Sequence, residues 1–200
     1  MGNTNKQSRA YPVNEIFSSI QGEGFWTGLP VTFIRFAGCN LACDFCDTDY
    51  SLKETLTVDE ILKRLENYPA RVVILTGGEP LIHPLIPLLK RLRSSHFSIH
   101  LETNGTFPVP EGFFDWVAVS PKTDDPVVRK CNELRVLLKK GEIPRDFGIR
   151  ADHYFVSPVN PPLNNLQKID RENFRYCLDY VLRHPNWRLS VQLHKYLDIP

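Results

Sequence analysis

The sequence predicts an α/β fold, a partial (open) parallel βα-barrel of about six strands. Short apolar, β-branched segments alternate with segments of helical periodicity, which is typical of a parallel sheet covered by helices. Several strand segments are apolar without clean alternation, as expected for strands buried on both faces. The chain has 200 residues, whereas a closed eight-stranded barrel typically needs about 250. We therefore expect a short, open barrel in which residues 1–200 form one domain.

Six segments are predicted as strands because they combine β-branched or apolar side chains with turn residues at their ends. In chain order they are Val31–Phe36, Arg71–Thr76, Ser98–Glu102, Trp116–Ser120, Ala151–Ser157 and Arg188–Leu193.

Four helices are predicted between or after these strands. Thr57 followed by Glu60 is a capping box and starts the first helix. Pro84 occupies a plausible first-turn position of the second, although Pro87 argues that this helix begins late or bends. The other three helices are predicted at Leu85–Ser94, Pro126–Lys139 and Arg171–Arg183.

Composition excludes few functions, but it indicates which binding partners and which cellular compartment to expect. The net charge is +1, so no strong field favours nucleic acid or an anionic membrane as a partner. No signal or membrane-spanning segment is recognisable, and we expect a soluble, cytoplasmic protein. Of 5 cysteines, three are clustered, which suits a metal site in a reducing compartment better than disulfides.

The clustered cysteines are Cys39, Cys43 and Cys46, spaced C-x3-C-x2-C directly after the first predicted strand. Three thiolates leave a four-coordinate zinc ion one protein ligand short. An iron–sulfur cluster with one open iron can instead bind a small molecule and pass it an electron. From spacing alone, zinc with a distant histidine as fourth ligand stays open. The histidines considered for that role are His83, His100 and His194.

Polar and glycine residues follow the predicted strands, at the sheet edge where open α/β sheets bind ligands. Gly77 and Gly78 allow close backbone approach, and Glu79 beside them could accept hydrogen bonds from an ammonium group. The later strand ends carry Asn104, Ser120 with Lys122, and Ser157 with Pro158. Each also has a structural interpretation, as a tight turn or a solvated charge.

Two further features lie outside these strand ends. Arg35 is inside an apolar strand, where it would be paired either with a substrate carboxylate or with an acid such as Glu23 or Asp47. The Gly-flanked segment Ile20–Gly24 offers an amide and an acid. The last predicted strand runs into His194, and the sequence given stops a few residues later at Pro200. Its α-carboxylate could lie in the mouth of the site, although such a tail is more commonly frayed.

Together these residues resemble the radical S-adenosylmethionine (SAM) superfamily, through the cysteine motif with Phe45 before its last cysteine and through Gly-Gly-Glu-Pro at 77–80. Within it they are most similar to the 7-carboxy-7-deazaguanine synthases. The segments that carry this similarity are FSSIQGEG (17–24), FIRFAGCNLACDFCDT (33–48), TGGEP (76–80), ETNG (102–105), SPK (120–122) and QLHKYLDIP (192–200).

The resemblance implies a role for each matching residue. The three cysteines would hold a 4Fe–4S cluster, and Thr48 would give an oxygen to Mg²⁺. The SAM site would comprise Phe45, Gly78, Glu79, Asn104, Ser120, Lys122, Ser157 and Pro158. The substrate site would comprise Ile20, Gln21, Gly22, Glu23, Arg35, Thr76, His194 and Pro200. No general acid or base is singled out.

The resemblance also implies a reaction. Reductive cleavage of SAM would start conversion of 6-carboxy-5,6,7,8-tetrahydropterin to 7-carboxy-7-deazaguanine with loss of ammonia, in deazapurine or queuosine biosynthesis. The implied partners are an electron donor such as a flavodoxin or ferredoxin and a second copy in a homodimer, with neither nucleic acid nor membrane. Three rivals remain: another small radical SAM enzyme such as a glycyl-radical activating enzyme, a zinc scaffold, and an electron carrier.

Overall fold

The computed structural model describes residues 9–161, 169–197 and 199–200. Within them one sheet contains β1 (Ala10–Ile20), β2 (Pro30–Phe36), β3 (Glu54–Thr57), β4 (Val72–Gly77), β5 (Ser98–Thr103), β6 (Trp116–Val119), β7 (Lys130–Leu138), β8 (Arg150–Pro158) and β9 (Arg188–Leu189). The helices are α1 (Val58–Leu65), α2 (Ile86–Ser94), α3 (Arg171–Arg183) and α4 (Leu193–Leu197), with a 3₁₀ turn at Pro80–Ile82.

The sheet is an open barrel, as predicted. Its strand order is β3-β1-β2-β4-β5-β6-β7-β8-β9. All pairs from β2 to β9 are parallel, whereas β1 pairs antiparallel with both β2 and β3. Because parallel strands share one direction, the carboxyl ends of β2, β4, β5 and β6 meet at one edge of the sheet.

The six predicted strands are present, although the last is shorter than expected. β9 ends at Leu189, and Leu193 begins the short helix α4. The strands β1 and β3 were not predicted. The apolar residues of β1 are interrupted by the polar pairs Asn14–Glu15 and Ser18–Ser19, and the strand is stabilised by its antiparallel neighbours on both sides.

The predicted helix Pro126–Lys139 is wrong, because most of this segment is the strand β7. Apolar residues at Cys131, Leu134 and Leu138 fit a helical period. However, β7 pairs with strands on both sides and residues on both of its faces are buried, which removes the alternation that marks a strand. Tertiary pairing overrides the local helical pattern here.

The predicted helix starts can be compared residue by residue. Thr57 and Glu60 form the capping box of α1: the Thr57 hydroxyl accepts the Glu60 N–H, and the Glu60 carboxylate accepts the Thr57 N–H. α2 begins late, at Ile86, with Pro87 in its first turn. Pro84 precedes this helix, so its predicted first-turn position is wrong. α3 has the predicted bounds.

The main core lies between the sheet and helices α1 and α2. It includes Ile34, Phe36, Leu75, Leu88 and Ile99, each fully or almost fully buried. A smaller core buries Cys177 of α3 against β7 and β8. These layers hold the strands in place and leave their carboxyl ends free to build a site. No helix in the described part of the chain is long and apolar enough to cross a membrane.

Candidate active site

Two cavities lie side by side at the carboxyl edge of the sheet. The larger has a volume of about 400 Å³ and the smaller about 200 Å³. Some residues line both cavities and so form a shared wall. They are Glu23, Asp47, Thr48, Thr76, Glu102 and Gln192. Groups bound in the two cavities would therefore be neighbours.

The smaller cavity brings together the cysteine loop and the ends of several parallel strands. All three clustered thiols open onto it, and none of them is in a disulfide. Of the residues predicted for SAM, five line it: Phe45, Gly78, Asn104, Ser120 and Lys122. Glu79, Ser157 and Pro158 are not in this lining.

The two glycines after β4 let the turn pack against the cysteine loop. A Cβ on Gly78 would lie 2.0 Å from the Gly38 carbonyl oxygen and 2.8 Å from Cys39 Cβ. Gly77 has a φ of +128°, which disfavours other residues. The Glu79 N–H donates to the Gly38 carbonyl at 3.1 Å. The sequence predicted that the backbone of this glycine turn approaches a ligand closely. In the structure the turn packs closely against the cysteine loop.

The Glu79 carboxylate is buried beneath this turn. It accepts the Leu81 N–H, the Asn104 N–H at 2.7 Å and the Thr103 hydroxyl. Burial raises its pKa above the ordinary value, despite these hydrogen bonds. In this arrangement Glu79 holds the turn that carries Asn104, and its predicted contact with an ammonium group stays a prediction. Ser157 is the other buried polar residue predicted for SAM that lies outside the lining, and its hydroxyl has no hydrogen-bond partner within the described residues.

Lys122 provides a cation in the smaller cavity. Its ammonium group donates to Ser120 Oγ at 2.6 Å and lies 5.9 Å from the centre of the Phe45 ring. Burial lowers its pKa below the ordinary value. The strand end after β6 therefore positions a positive charge beside the cysteine loop.

The larger cavity contains every residue predicted for the substrate. Its lining includes Ile20, Gln21, Gly22, Glu23, Arg35, Thr76, His194 and Pro200. The hairpin between β1 and β2 supplies the first four, and the C-terminal segment supplies the last two. These distant segments are joined by the Leu193 N–H, which donates to the Gly22 carbonyl at 3.0 Å, and by Ser19 Oγ, which donates to the Pro200 carbonyl oxygen at 2.9 Å.

Arg35 is paired, but with a partner that the sequence did not suggest. Its Nε lies 2.7 Å from Glu15 Oε1 on the neighbouring strand, not beside Glu23 or Asp47. Its guanidinium also lies 5.4 Å from the centre of the Phe17 ring, which stacks on Phe33. Among the described residues only Nε of Arg35 is bonded in this way, which leaves its terminal NH₂ groups available to a carboxylate.

The shared wall is a hydrogen-bonded network that sequence reasoning largely missed. Lys195 Nζ lies 2.6 Å from Asp47 Oδ2. The Gln192 amide donates to Asp47 at 3.0 Å and to Glu23 at 3.1 Å. Burial would raise the pKa of Asp47, but Lys195 and Gln192 outweigh it and hold that pKa below its ordinary value. These contacts tie the cysteine loop to the C-terminal segment.

Arg135 also lines the smaller cavity and was missed. The signal was available, because an arginine within an apolar segment is rarely buried without a partner. It was overlooked because β7 was interpreted as a helix, on which Arg135 would have been an ordinary exposed residue.

The residues present fit an iron–sulfur cluster and SAM by the chemistry of their donors. The described Cys, His, Asp and Glu side chains do not form a group of three around a single metal ion. The fit rests on three soft thiol donors in one loop, all facing one cavity. Backbone amides at a glycine turn, a buried lysine and an aromatic ring line that cavity and suit an amino acid joined to a nucleoside.

A three-thiol loop following a parallel strand of an open βα-barrel defines a radical SAM protein, and the radical SAM superfamily profile matches residues 33–140. A 7-carboxy-7-deazaguanine synthase of Bacteroides thetaiotaomicron is 42% identical over 188 residues, covering 94% of this chain and 97% of that protein. The synthase of Burkholderia multivorans is 40% identical, covering 95% and 99%. The chain belongs to the 7-carboxy-7-deazaguanine synthase family.

A solved structure leads to the same family. The crystal structure of QueE from Escherichia coli superposes with a TM-score of 0.72 at 28% identity, covering 92% of this chain and 95% of that one. The chain is therefore a radical SAM lyase that uses a 4Fe–4S cluster and SAM. The zinc-scaffold and electron-carrier interpretations are rejected on this ground.

Proposed function

We propose that this chain converts 6-carboxy-5,6,7,8-tetrahydropterin to 7-carboxy-7-deazaguanine with loss of ammonia, as a step of queuosine or another deazapurine pathway. The observation that carries the proposal is the wall shared by the two cavities. A cofactor held beside the three thiols would lie next to a substrate in the larger cavity. Proximity of this kind is what hydrogen transfer between two bound molecules requires.

The cofactors would occupy the smaller cavity. Cys39, Cys43 and Cys46 would hold the 4Fe–4S cluster, and the residues predicted for SAM would bind it from the strand ends. When bound, this pair supplies one-electron cleavage of SAM, which starts hydrogen abstraction from the substrate. The surrounding protein holds the cofactor in place and excludes water. Glu79 supports this site from beneath the glycine turn.

The substrate would occupy the larger cavity. The free edge of the Arg35 guanidinium would bind its carboxylate. Gln21, Glu23, His194 and Pro200 would contact the polar edge of the pterin ring. Thr48, which lines both cavities, would give an oxygen to Mg²⁺ at their junction.

A one-electron donor such as a flavodoxin or ferredoxin would approach the cysteine loop from its other side. An open groove there is lined by Cys39 and Cys46 and by Leu52, whose side chain is 61% exposed. Comparing reduction by purified flavodoxin and by dithionite would test this route. Homodimerisation and a cytoplasmic location stay predictions, and light scattering of the purified protein would test the first.

The experiment that tests the function is an anaerobic assay on the reconstituted protein with dithionite, SAM, Mg²⁺ and 6-carboxytetrahydropterin. We expect mass spectrometry to detect 5′-deoxyadenosine and 7-carboxy-7-deazaguanine. Cys43→Ala should lose both products, whereas Cys177→Ala, which removes a thiol buried in the core of α3 and outside both cavity linings, should keep both. Deoxyadenosine without the deazapurine from the wild type would refute the proposed substrate.

A further inference from the structure

Arg135 is a nearly buried arginine that contacts acids from three parts of the chain. Only 9% of its side chain is exposed. Nη1 lies 2.7 Å from Glu23, Nη2 lies 2.7 Å from Glu102, and Nε lies 2.8 Å from Glu133. These acids belong to the β1–β2 hairpin, to β5 and to β7 itself. Nη1 and Nη2 donate hydrogen bonds to Glu23 and Glu102, whereas Nε and Glu133 form an ion pair without a hydrogen bond. A lysine ammonium cannot meet three carboxylates in the same planar geometry.

Two of these acids, Glu102 and Glu23, in turn hold residues of the larger cavity. Glu102 accepts hydrogen bonds from the Gln21 amide at 3.1 Å and the Thr76 hydroxyl at 2.9 Å. Glu23 accepts one from Gln192. Three residues that line the larger cavity, Gln21, Glu23 and Thr76, therefore depend directly or through Glu102 on Arg135.

Glu133 supports the hairpin from below. Its Oε2 accepts the Phe25 N–H at 3.0 Å. Gly24 lies so close that a Cβ there would be 1.8 Å from Glu133 Oε1, and its φ of +69° also favours glycine. The hairpin residues 21–25 thus lie directly on the cluster that Arg135 organises.

The positive charge of Arg135 stabilises the neighbouring buried carboxylates. Burial would raise the pKa of Glu102, but the charge of Arg135 and the bonds to it keep that pKa below its ordinary value. The pKa of Glu133 stays above its ordinary value because burial outweighs the attraction of Arg135. Without the guanidinium, three neighbouring carboxyl groups would face each other in a partly desolvated site.

We propose that Arg135 is a positioning residue that holds the hairpin acid Glu23 and the strand-end acid Glu102 in the wall between the two cavities. It thereby fixes the substrate cavity relative to the cofactor cavity. This inference rests on the proposed function for its kinetic consequence, but its structural part stands on the contacts alone.

The test compares Arg135→Met, Arg135→Lys and the control Arg93→Gln. Arg93 makes a two-bond pair with Asp115 that is more than one-third exposed, and neither residue lines either cavity. We expect Arg135→Met to raise KM for the pterin by about 10- to 100-fold. The ratio of deoxyadenosine to deazapurine should rise with it. Arg135→Lys should restore part of both, and Arg93→Gln should resemble the wild type.

A second readout does not depend on activity. The amide N–H groups of Gly24 and Phe25 donate to Ser190 Oγ and to Glu133. Hydrogen exchange of the peptide covering residues 21–28, measured by mass spectrometry, should be faster in both Arg135 variants and unchanged in Arg93→Gln. If Arg135→Met does not fold, Arg135→Lys decides the matter.

The outcomes separate the two proposals. No deazapurine from the wild type would defeat the proposed function, while faster exchange at 21–28 in the Arg135 variants would still support the positioning role. A folded Arg135 variant with wild-type KM, product ratio and exchange would overturn it. So would a lower melting temperature alone, with the three readouts unchanged, because Arg135 would then be only structural.

Discussion

The two cavities of this site are built in different ways. The smaller cavity, which we propose for the cofactors and name the cofactor cavity, comes from consecutive parallel strands, whose carboxyl ends present the cysteine loop, the glycine turn, Asn104 and Lys122. The larger cavity, which we propose for the substrate and name the substrate cavity, comes from an antiparallel hairpin near one end of the sequence and a short segment at the other. The first depends on the sheet as a whole, whereas the second depends on a few contacts such as the one between Gly22 and Leu193.

Because of this difference, we expect that substitutions can impair the substrate cavity without impairing the cofactor cavity. Strand pairing is cooperative, so the cofactor cavity should persist as long as the barrel folds. The contacts that close the substrate cavity can be broken singly. Variants in the second group should therefore leave SAM cleavage in place while weakening binding or conversion of the pterin.

Arg35→Ala should show the sharpest separation. We expect deazapurine formation to fall by about 100-fold or more, because a charge-assisted pair to the substrate carboxylate is lost. Deoxyadenosine formation should stay measurable. Arg71→Ala is the matched control, since Arg71 also lies over an aromatic ring but is exposed and outside both cavities. Normal deazapurine formation by Arg35→Ala would remove Arg35 from the substrate site.

Removal of residues 199–200 should raise KM for the pterin by about tenfold, the scale expected for one lost polar contact of roughly 1.4 kcal/mol. Both residues line the larger cavity. Ser19→Ala, which removes only the hydroxyl that donates to the Pro200 carbonyl, should have a smaller effect in the same direction. An unchanged KM after truncation would contradict the role given to Pro200.

Lys195→Met would break the ion pair that ties the C-terminal segment to the cysteine loop. The Lys195 side chain is 8% exposed, and its Nζ lies 2.6 Å from Oδ2 of Asp47, the residue after Cys46. We expect the free energy of unfolding to fall by about 1–3 kcal/mol, because Asp47 loses its cation but keeps Gln192. Chemical denaturation would measure it. Lys195→Arg should recover most of the loss, and an unchanged free energy of unfolding in Lys195→Met would contradict the stabilising role of this ion pair.

The smallest expected effect is a pH dependence of stability in the shared wall. The pKa of Glu102 lies below its ordinary value of 4.5, so its carboxylate stabilises the fold above that value and loses this effect as the pH falls through its folded pKa. The stability difference between wild type and Glu102→Gln should be constant from about pH 7 to 5 and shrink below about pH 4. Urea unfolding at each pH would measure it.

For Glu133→Gln we expect the pH dependence of stability relative to wild type to have the opposite sign. The pKa of Glu133 is raised, so the folded state binds its proton more tightly, and ionisation becomes a cost as the pH rises above the ordinary value. Relative to wild type, Glu133→Gln should therefore gain stability on going from about pH 4 to 7. The same pH trend in both variants would contradict the charge arrangement around Arg135.

Much of the cofactor side could be predicted because its signals are local. The cysteine spacing, Gly77–Gly78 and Ser120 to Lys122 each lie directly after a recognisable strand. The residues predicted for the substrate came from a family resemblance; in the structure they line one cavity, and their role stays a prediction. Arg135 was missed because Pro126–Lys139 has the periodicity of a helix, and only pairing with β6 and β8 makes it a strand.

The sequence by itself determined the open βα-barrel, the three-thiol loop and the membership of a family, because these depend on periodicity and on motifs within a few residues. Tertiary structure alone decided that Glu15 pairs with Arg35 and that Arg135 gathers Glu23, Glu102 and Glu133. It also decided that Lys195 reaches Asp47. The physical reason is that ion pairs depend on distance in space. The residues of these pairs are up to 148 positions apart in the sequence, and local sequence patterns carry no information about contacts over that separation.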